Sequence, residues 1–149
     1  MLNLNITNET SRLRAVVLGT ATSNGPTPSA KDCYDPKSLA HVKAGTYPIE
    51  KDMILEMDAV AAIFKKYNVA VFRPKVIQDY NQIFSRDIAF VIDDKFIKAN
   101  ILPDREKEIN AINHVISKIS TEKIITLPNE CHVEGGDVMP WNNYIFVGT

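Results

Sequence analysis

Short apolar runs and two longer amphipathic stretches divide the chain into predicted strands and helices. Each run ends at a glycine, a proline or a group of asparagine and aspartate residues, a pattern typical of buried strands separated by turns. The predicted strands cover residues 13–18, 69–72, 88–92, 96–99, 123–127, 133–141 and 144–147. The runs are shorter than most helices, which favours strands.

Two stretches place apolar residues at the helical period and predict one helix each. The first begins near Pro48, with Glu50 and Asp52 at the positive end of the helix dipole. Pro103 and Asp104 open the second. Their apolar stripes consist of Met53, Met57, Val60 and Phe64 in the first helix and of Ile109, Ile112, Ile116 and Ile119 in the second.

Turns at residues 93–95 and 142–143 join neighbouring apolar runs into two predicted β-hairpins. The second helix and the strand at 123–127 follow the first hairpin, so the order is strand, strand, helix, strand. The same order then starts again at residue 133. This recurrence predicts an α/β repeat architecture of ββαβ units around a central axis, and we expect the chain to be shorter than the complete array.

Residues 20–47 form the longest predicted loop, rich in proline, glycine, serine, asparagine and aspartate. A loop of this length inside a compact domain is either functional, for example a lid, or a mobile surface excursion. The pattern leaves both interpretations open.

Length and charge narrow the class of protein. The 149 residues suit one domain, spanning 1–149, with a sizeable core. A formal net charge of -1 offers no basic face to a phosphate backbone, so we expect no nucleic-acid partner. No basic segment followed by an apolar run opens the chain, and no run is long enough to span a bilayer. We therefore expect a cytoplasmic protein without a membrane partner, in which Cys33 and Cys131 are free thiols.

Two polar stretches beside predicted strands carry the candidate chemistry. Residues 81–87 combine an amide, an aromatic ring and a carboxylate in Asn81, Phe84 and Asp87. Residues 132–138 place Glu134 beside two glycines that allow other groups to approach the backbone closely. We expect the two stretches to form two walls of one acidic pocket.

These stretches resemble motifs of guanidine-modifying enzymes. Residues 81–87 are similar to the Asn-x-x-Phe-Thr-Arg-Asp motif of arginine deiminases, and residues 132–138 to their Phe-Glu-Gly-Gly-Asp-Val motif. Arg105 and Glu108 fit an Arg-x-x-Glu motif between them, and residues 12–19 resemble the first strand of amidinotransferases. The ordered set resembles the N-terminal part of this superfamily, which implies a β/α-propeller, or pentein, fold with about half of the ring present.

The resemblance implies a role for each matching residue. Asp87 would bind the substrate guanidinium, because a carboxylate meets its donors in a bidentate fork, and Asn81 and Phe84 would shape that pocket. Glu134 would be the acidic member of a Cys-His-Glu constellation. Arg105 would bind a substrate carboxylate.

The implied reaction is modification of arginine or a related guanidino compound through a covalent amidino-cysteine intermediate, ending in hydrolysis or in transfer. No cofactor or metal is implied. The catalytic histidine and cysteine of the family would fall beyond Thr149, so we expect this chain to be inactive alone. The alternative is a non-catalytic pentein-fold binding or assembly module. An open half-ring would in either case favour self-association or covering by a second chain.

The residues alone also allow simpler interpretations. Asp87 could be a strand-entry acid paired with Arg86 or Arg105, and Glu134 a solvated turn acid. Cys131 and His132 would point to opposite faces of an extended strand, which argues against a local thiol and imidazole pair. The ordered motifs favour the functional interpretation of Asp87 and Glu134.

Overall fold

The computed structural model describes residues 1–33 and 35–148, with the side chain of residue 104 excepted. Tyr34, inside the predicted loop, and the terminal Thr149 lie outside the described residues. The strands are β1 (Ala15–Val17), β2 (Ala70–Phe72), β3 (Ala89–Ile92), β4 (Lys95–Lys98), β5 (Ile124–Thr126), β6 (Val138–Trp141) and β7 (Tyr144–Val147). The α-helices are α1 (Pro36–Ala44), α2 (Glu50–Lys66), α3 (Ser85–Ile88), α4 (Glu108–Ala111) and α5 (Asn113–Ile116).

The strands form small sheets that follow the predicted order. β1 pairs with β2 in parallel across helices α1 and α2. β4 lies between β3, its antiparallel hairpin partner, and β5, which runs parallel to it. This sheet and helices α4 and α5 make one ββαβ unit, which confirms the predicted order of strand, strand, helix and strand in this part of the chain. β6 and β7 form the second hairpin.

Left-handed backbone conformations close the turns where the sequence predicts them. Asp93 has φ of 50° in the β3–β4 turn, and Asn142 has φ of 54° in the β6–β7 turn. Asn68, with φ of 58°, separates α2 from β2. Aspartate and asparagine tolerate this region because their side chains bond to the nearby backbone.

The core lies between the β3–β4–β5 sheet and helices α4 and α5. Its buried members are Ile88, Phe96, Ile112, Val115, Ile116 and Ile119. Val17 of β1 and Phe72 of β2 pack against this cluster, so the first sheet joins the same core. The isoleucine stripe predicted for the second helix therefore faces inward, although Ile109 is only partly buried.

The predicted loop at 20–47 contains a helix, which corrects the expectation of an irregular segment. The Asp35 carboxylate accepts a hydrogen bond from the Ser38 N–H at 2.7 Å, and this bond lowers the pKa of Asp35. Pro36 follows in the first turn, and Gly45, with φ of 67°, ends the helix. An Asp-Pro pair is a common turn signal, but here Asp35 is the N-cap and Pro36 the first residue of a helix.

Three further boundaries differ from the sequence prediction. Ile88 ends helix α3 instead of opening a strand. The second helix is divided into a 3-10 turn at Pro103–Arg105, α4 and α5, because its many β-branched and asparagine residues propagate a helix poorly. The strand predicted at 133–141 begins only at Val138, after a 3-10 turn at Gly135–Asp137. In α2, Val60 is exposed and Ala61 is the buried residue.

Candidate functional site

The turn that carries residues 81–87 is fixed by a buried amide. Gln82 is almost fully buried, and its side chain accepts from the Ile77 N–H at 2.7 Å and donates to the Lys75 carbonyl at 3.0 Å. The Thr20 N–H donates to the Gln82 carbonyl and ties the turn to the segment after β1. Sequence reasoning did not assign Gln82 a role, since an isolated glutamine carries no pattern of its own. Its bonds hold Asn81 and Ile83 on either side of it.

Glycine lets the two motif stretches pack directly against each other. A Cβ atom on Gly135 would collide with the Arg86 carbonyl oxygen, and one on Gly136 would lie 2.8 Å from Oδ1 of Asp87. The 3-10 turn at Gly135–Asp137 therefore contacts helix α3 through backbone. This contact confirms the expectation that the glycines allow close approach, and it brings residues 81–87 beside residues 132–138.

Arg86 joins the same two stretches through hydrogen bonds. Its Nε donates to the Gly135 carbonyl at 2.9 Å and its Nη2 to the Val138 carbonyl at 2.8 Å. The guanidinium also pairs with Glu9 at 3.0 Å. Arg86 is thus engaged with the second stretch, and the ion pair of Asp87 is made with another arginine.

Arg105 lies among three carboxylates, which we call the Arg105 cluster: Asp87, Glu108 and Glu134. Its Nη1 donates to Oδ2 of Asp87 at 2.9 Å and lies 3.7 Å from Oε1 of Glu134. Its Nε and Nη2 form a fork on Glu108, at 2.7 and 3.3 Å. Nη2 also donates to the Phe84 carbonyl at 3.1 Å. Both predicted acids, one from each stretch, therefore lie beside one guanidinium nitrogen.

Burial and charge act together on this cluster. Burial raises the pKa of the Glu108 carboxyl, against the opposing effect of the Arg105 bonds. Burial also lowers the pKa of Arg105, but its hydrogen bonds to Glu108 and Asp87 outweigh that effect and raise it overall. Three carboxylates and one guanidinium give a net charge of -2 (-3 from the acids, +1 from Arg105) when all are ionised. The cluster can therefore accept a further cation.

A cavity of about 460 Å³ lies beside residues 81–84. Asn81, Ile83 and Phe84 line it together with residues of the 20–47 segment, including Cys33 and His41. Oδ1 of Asn24, also in this wall, is buried and has no hydrogen-bond partner among the described residues. The volume is within the range of small-molecule pockets.

The structure thus separates the predicted site residues into two adjoining groups. Asn81 and Phe84 line the cavity, whereas Asp87, Glu134 and Arg105 belong to the Arg105 cluster. Phe84 belongs to both, because its carbonyl accepts a hydrogen bond from Arg105 and the residue also lines the cavity.

Glu108 is the functional candidate to which sequence reasoning gave no role. It appeared only as the last residue of the Arg-x-x-Glu motif, and the i,i+3 spacing was the available signal. Cys131 and His132 are exposed and lie outside any strand, so the alternation argument about their directions does not apply.

Comparison with known proteins gives matches in structure. An inosamine-phosphate amidinotransferase from Streptomyces griseus matches with a TM-score of 0.70 and 18% identity over 94% of this chain and 53% of its own. An amidinotransferase of the saxitoxin biosynthetic pathway from Microseira wollei matches with a TM-score of 0.70 and 16% identity, over 96% of this chain and 54% of its own. A dimethylarginine dimethylaminohydrolase from Pseudomonas aeruginosa, complexed with citrulline, matches with a TM-score of 0.63 and 13% identity, over 92% of this chain and 50% of its own.

No protein-family model and no curated protein sequence matches the chain. The structural matches confirm the resemblance to amidinotransferases at the level of the fold, which has the mixed α/β content of the pentein enzymes. The chain spans about half the length of these structures. Among the residues described, no helix is long and apolar enough to cross a membrane.

Proposed function

We propose that the chain is the N-terminal part of a guanidine-modifying enzyme that acts on arginine or a related guanidino compound. The observation that carries this proposal is the Arg105 cluster, where Asp87 and Glu134 already lie beside a guanidinium group. After Arg105 is counted, two carboxylate charges remain for an incoming guanidinium. The fold shared with amidinotransferases and a dimethylaminohydrolase supports the same substrate class.

In this proposal, Asp87 binds the substrate guanidinium and Asn81 and Phe84 shape the adjoining pocket. Asp87 uses Oδ2 for Arg105, but a carboxylate has about four lone-pair sites and can accept from a second guanidinium as well. Glu134 orients a histidine supplied from outside this chain. The 20–47 segment, which lines the cavity beside Asn81, covers the bound compound as a lid.

The proposed chemistry is nucleophilic catalysis by a cysteine that also lies beyond this chain. The thiolate forms a bond to the guanidinium carbon, and the departing amine leaves with a proton from the histidine. Water or a second amine then attacks the amidino carbon and releases the thiolate. The complete fold is a β/α-propeller, of which this chain supplies about half. The chain alone is therefore inactive but carries the guanidinium-binding acids.

Calorimetric titration with arginine and methylguanidine tests the binding role of Asp87. We expect Asp87→Asn to remove binding, because the amide keeps the volume but loses the charge that pairs with a guanidinium. Asp58→Asn is the matched control, since Asp58 pairs with Arg73 at 2.8 Å as Asp87 pairs with Arg105 at 2.9 Å. Equal binding by both variants would remove Asp87 from the proposal.

The second candidate function is a binding or assembly module, and the surface of the β6–β7 hairpin supports it. All four side chains of β7 are exposed, together with Met139 and Trp141 of β6. We propose that a second chain or a second copy covers this surface. Sedimentation equilibrium should show association that Ile145→Lys on β7 removes and that Ile63→Lys on α2 leaves unchanged, since both isoleucines are exposed apolar residues. A monomer at all concentrations would contradict covering by a second copy.

A further inference from the structure

Glu108 is the most deeply buried charged side chain of the Arg105 cluster, with 2% of its surface exposed. It begins helix α4, which is followed directly by the core residue Ile112 and then by Val115 in helix α5. A carboxylate at such a position is expensive to bury unless a well-placed cation compensates it. Arg105 compensates it with the two-bond fork from Nε and Nη2.

The remaining donors of Arg105 point away from Glu108 and toward the motif stretches. Nη1 reaches Asp87 and approaches Glu134, and Nη2 reaches the Phe84 carbonyl. Because the guanidinium is rigid and planar, a fork that fixes two of its nitrogens also fixes the direction of the third. The orientation of Asp87 is therefore linked to the core through Arg105 and Glu108.

A buried ion pair is weak evidence for stability, since apolar residues of similar volume often stabilise a fold as well. The pair between Glu108 and Arg105 is better explained by the orientation that it imposes. The same bonds use most of the donors of Arg105, which leaves little of its guanidinium for a substrate carboxylate.

We infer that Glu108 is a positioning residue, which fixes Arg105 so that Arg105 holds Asp87 and Glu134 in the geometry that receives a guanidino compound. Arg105 accordingly acts as a second positioning residue. This inference rests on the proposed function for its ligand, but the orientation of Asp87 can be measured without any ligand.

Glu108→Gln tests the inference, because it keeps the size of the side chain and removes its charge. Glu106→Gln is the matched control, an exposed glutamate two positions earlier. Two measurements on the ligand-free protein report orientation by NMR: protection of the Arg105 Nε–H from exchange, and the three-bond couplings that define χ1 of Asp87. A third, calorimetry with methylguanidine, reports binding.

We expect Glu108→Gln to lose the protection, to average χ1 of Asp87 over several rotamers, and to weaken methylguanidine binding by about tenfold or more. Glu106→Gln should change none of these. Arg105→Lys, which keeps the positive charge and loses the fork, should reproduce the loss of Asp87 order if Glu108→Gln fails to fold.

Each contrary result has a separate meaning. A single Asp87 rotamer in both Glu108→Gln and Arg105→Lys would overturn the inference, whatever the binding result. Unchanged methylguanidine affinity in a folded Glu108→Gln protein would overturn it too, while leaving the proposed function intact. If the unsubstituted chain binds neither arginine nor methylguanidine, the proposed function fails, and loss of Asp87 order in Glu108→Gln still supports the positioning role.

Discussion

The two hairpins of this chain begin alike and end differently. Each follows a short turn with an acidic residue, α3 with Asp87 before β3 and the 3-10 turn with Asp137 before β6. The β3–β4 hairpin is then covered by α4 and α5 and extended by β5, so Phe96 and Ile97 are buried. Among the described residues, β6–β7 has no third strand, and all four side chains of β7 are exposed although Val138 and Pro140 of β6 are buried. The extent to which each hairpin is buried therefore depends on the elements that pack against it and not on the sequence of the hairpin itself.

The largest expected difference between the two regions is in the free energy of unfolding. Ile112→Ala removes a core side chain that is 1% exposed and should cost about 2–5 kcal/mol, because it leaves a cavity under the covered hairpin. Ile145→Ala, on β7 and 52% exposed, should cost less than about 1 kcal/mol. Urea unfolding measures both. Similar costs would mean that β6–β7 is buried in solution, for example by another copy.

A smaller effect is expected where the two regions meet. Gly135→Ala places a methyl group against the Arg86 carbonyl oxygen and within 3.0 Å of the Ala89 carbonyl oxygen, both of which are rigid backbone. We expect a loss of roughly 1–3 kcal/mol, typical of overpacking. Thermal unfolding with Gly148→Ala as control, where the nearest atom is 3.4 Å away, provides the measurement. An unaltered melting temperature would show that α3 and the 3-10 turn do not pack as described.

Gly136→Ala should separate binding from stability at the same junction. Its methyl group would meet Oδ1 of Asp87 at 2.8 Å, and a side chain can rotate away where a backbone cannot. We expect less than about 1 kcal/mol of destabilisation but a clear loss of methylguanidine affinity in calorimetry. Retained affinity would argue against Asp87 as the binding group.

The smallest expected effect is a dependence of the free energy of unfolding on pH, which comes from Glu108 at the start of α4. Burial raises the pKa of Glu108 in the folded state above its ordinary value. The folded state then holds the proton more tightly than the unfolded state. The stabilisation that comes from this proton is therefore complete at pH values below the ordinary pKa, and it is lost as the pH rises through the raised pKa of the folded state. Urea unfolding at several pH values should show this decline, and Glu108→Gln should flatten it while Glu134→Gln should not.

Local patterns predicted most of the fold. The alternation of apolar runs and turns identified every strand, and Asp93 and Asn142 marked the hairpin turns correctly. Helix α1 was not predicted because Asp35-Pro36 can form either a turn or the start of a helix. Which of the two forms depends on whether the Asp35 carboxylate caps the next turn, as it does here. The break at Ile112 was missed because an apolar stripe survives when a helix is divided into short segments.

The site was predictable in its members but not in its contacts. Asp87 and Glu134 are distant in sequence, but the similar layout of their two stretches beside predicted strands indicated a shared pocket, and the resemblance to ordered motifs supported it. Sequence could not assign Arg105 to them, because both Arg86 and Arg105 were candidate partners of Asp87. The choice follows from tertiary packing, which directs Arg86 to Gly135 and leaves Asp87 to Arg105.

The parallel pairing of β1 with β2 has a consequence for how the molecule folds. Ala15 lies opposite Ala70, so this contact must close a long segment that includes α1 and α2. The two hairpins need only two-residue turns, and hairpins of this kind form in about 1–10 μs. Contacts of high sequence separation form more slowly. We therefore expect α3 with Asp87 and the 3-10 turn with Asp137 to form before β1 pairs with β2. The 20–47 segment, which forms a wall of the cavity, would then be the last part of the chain to fold.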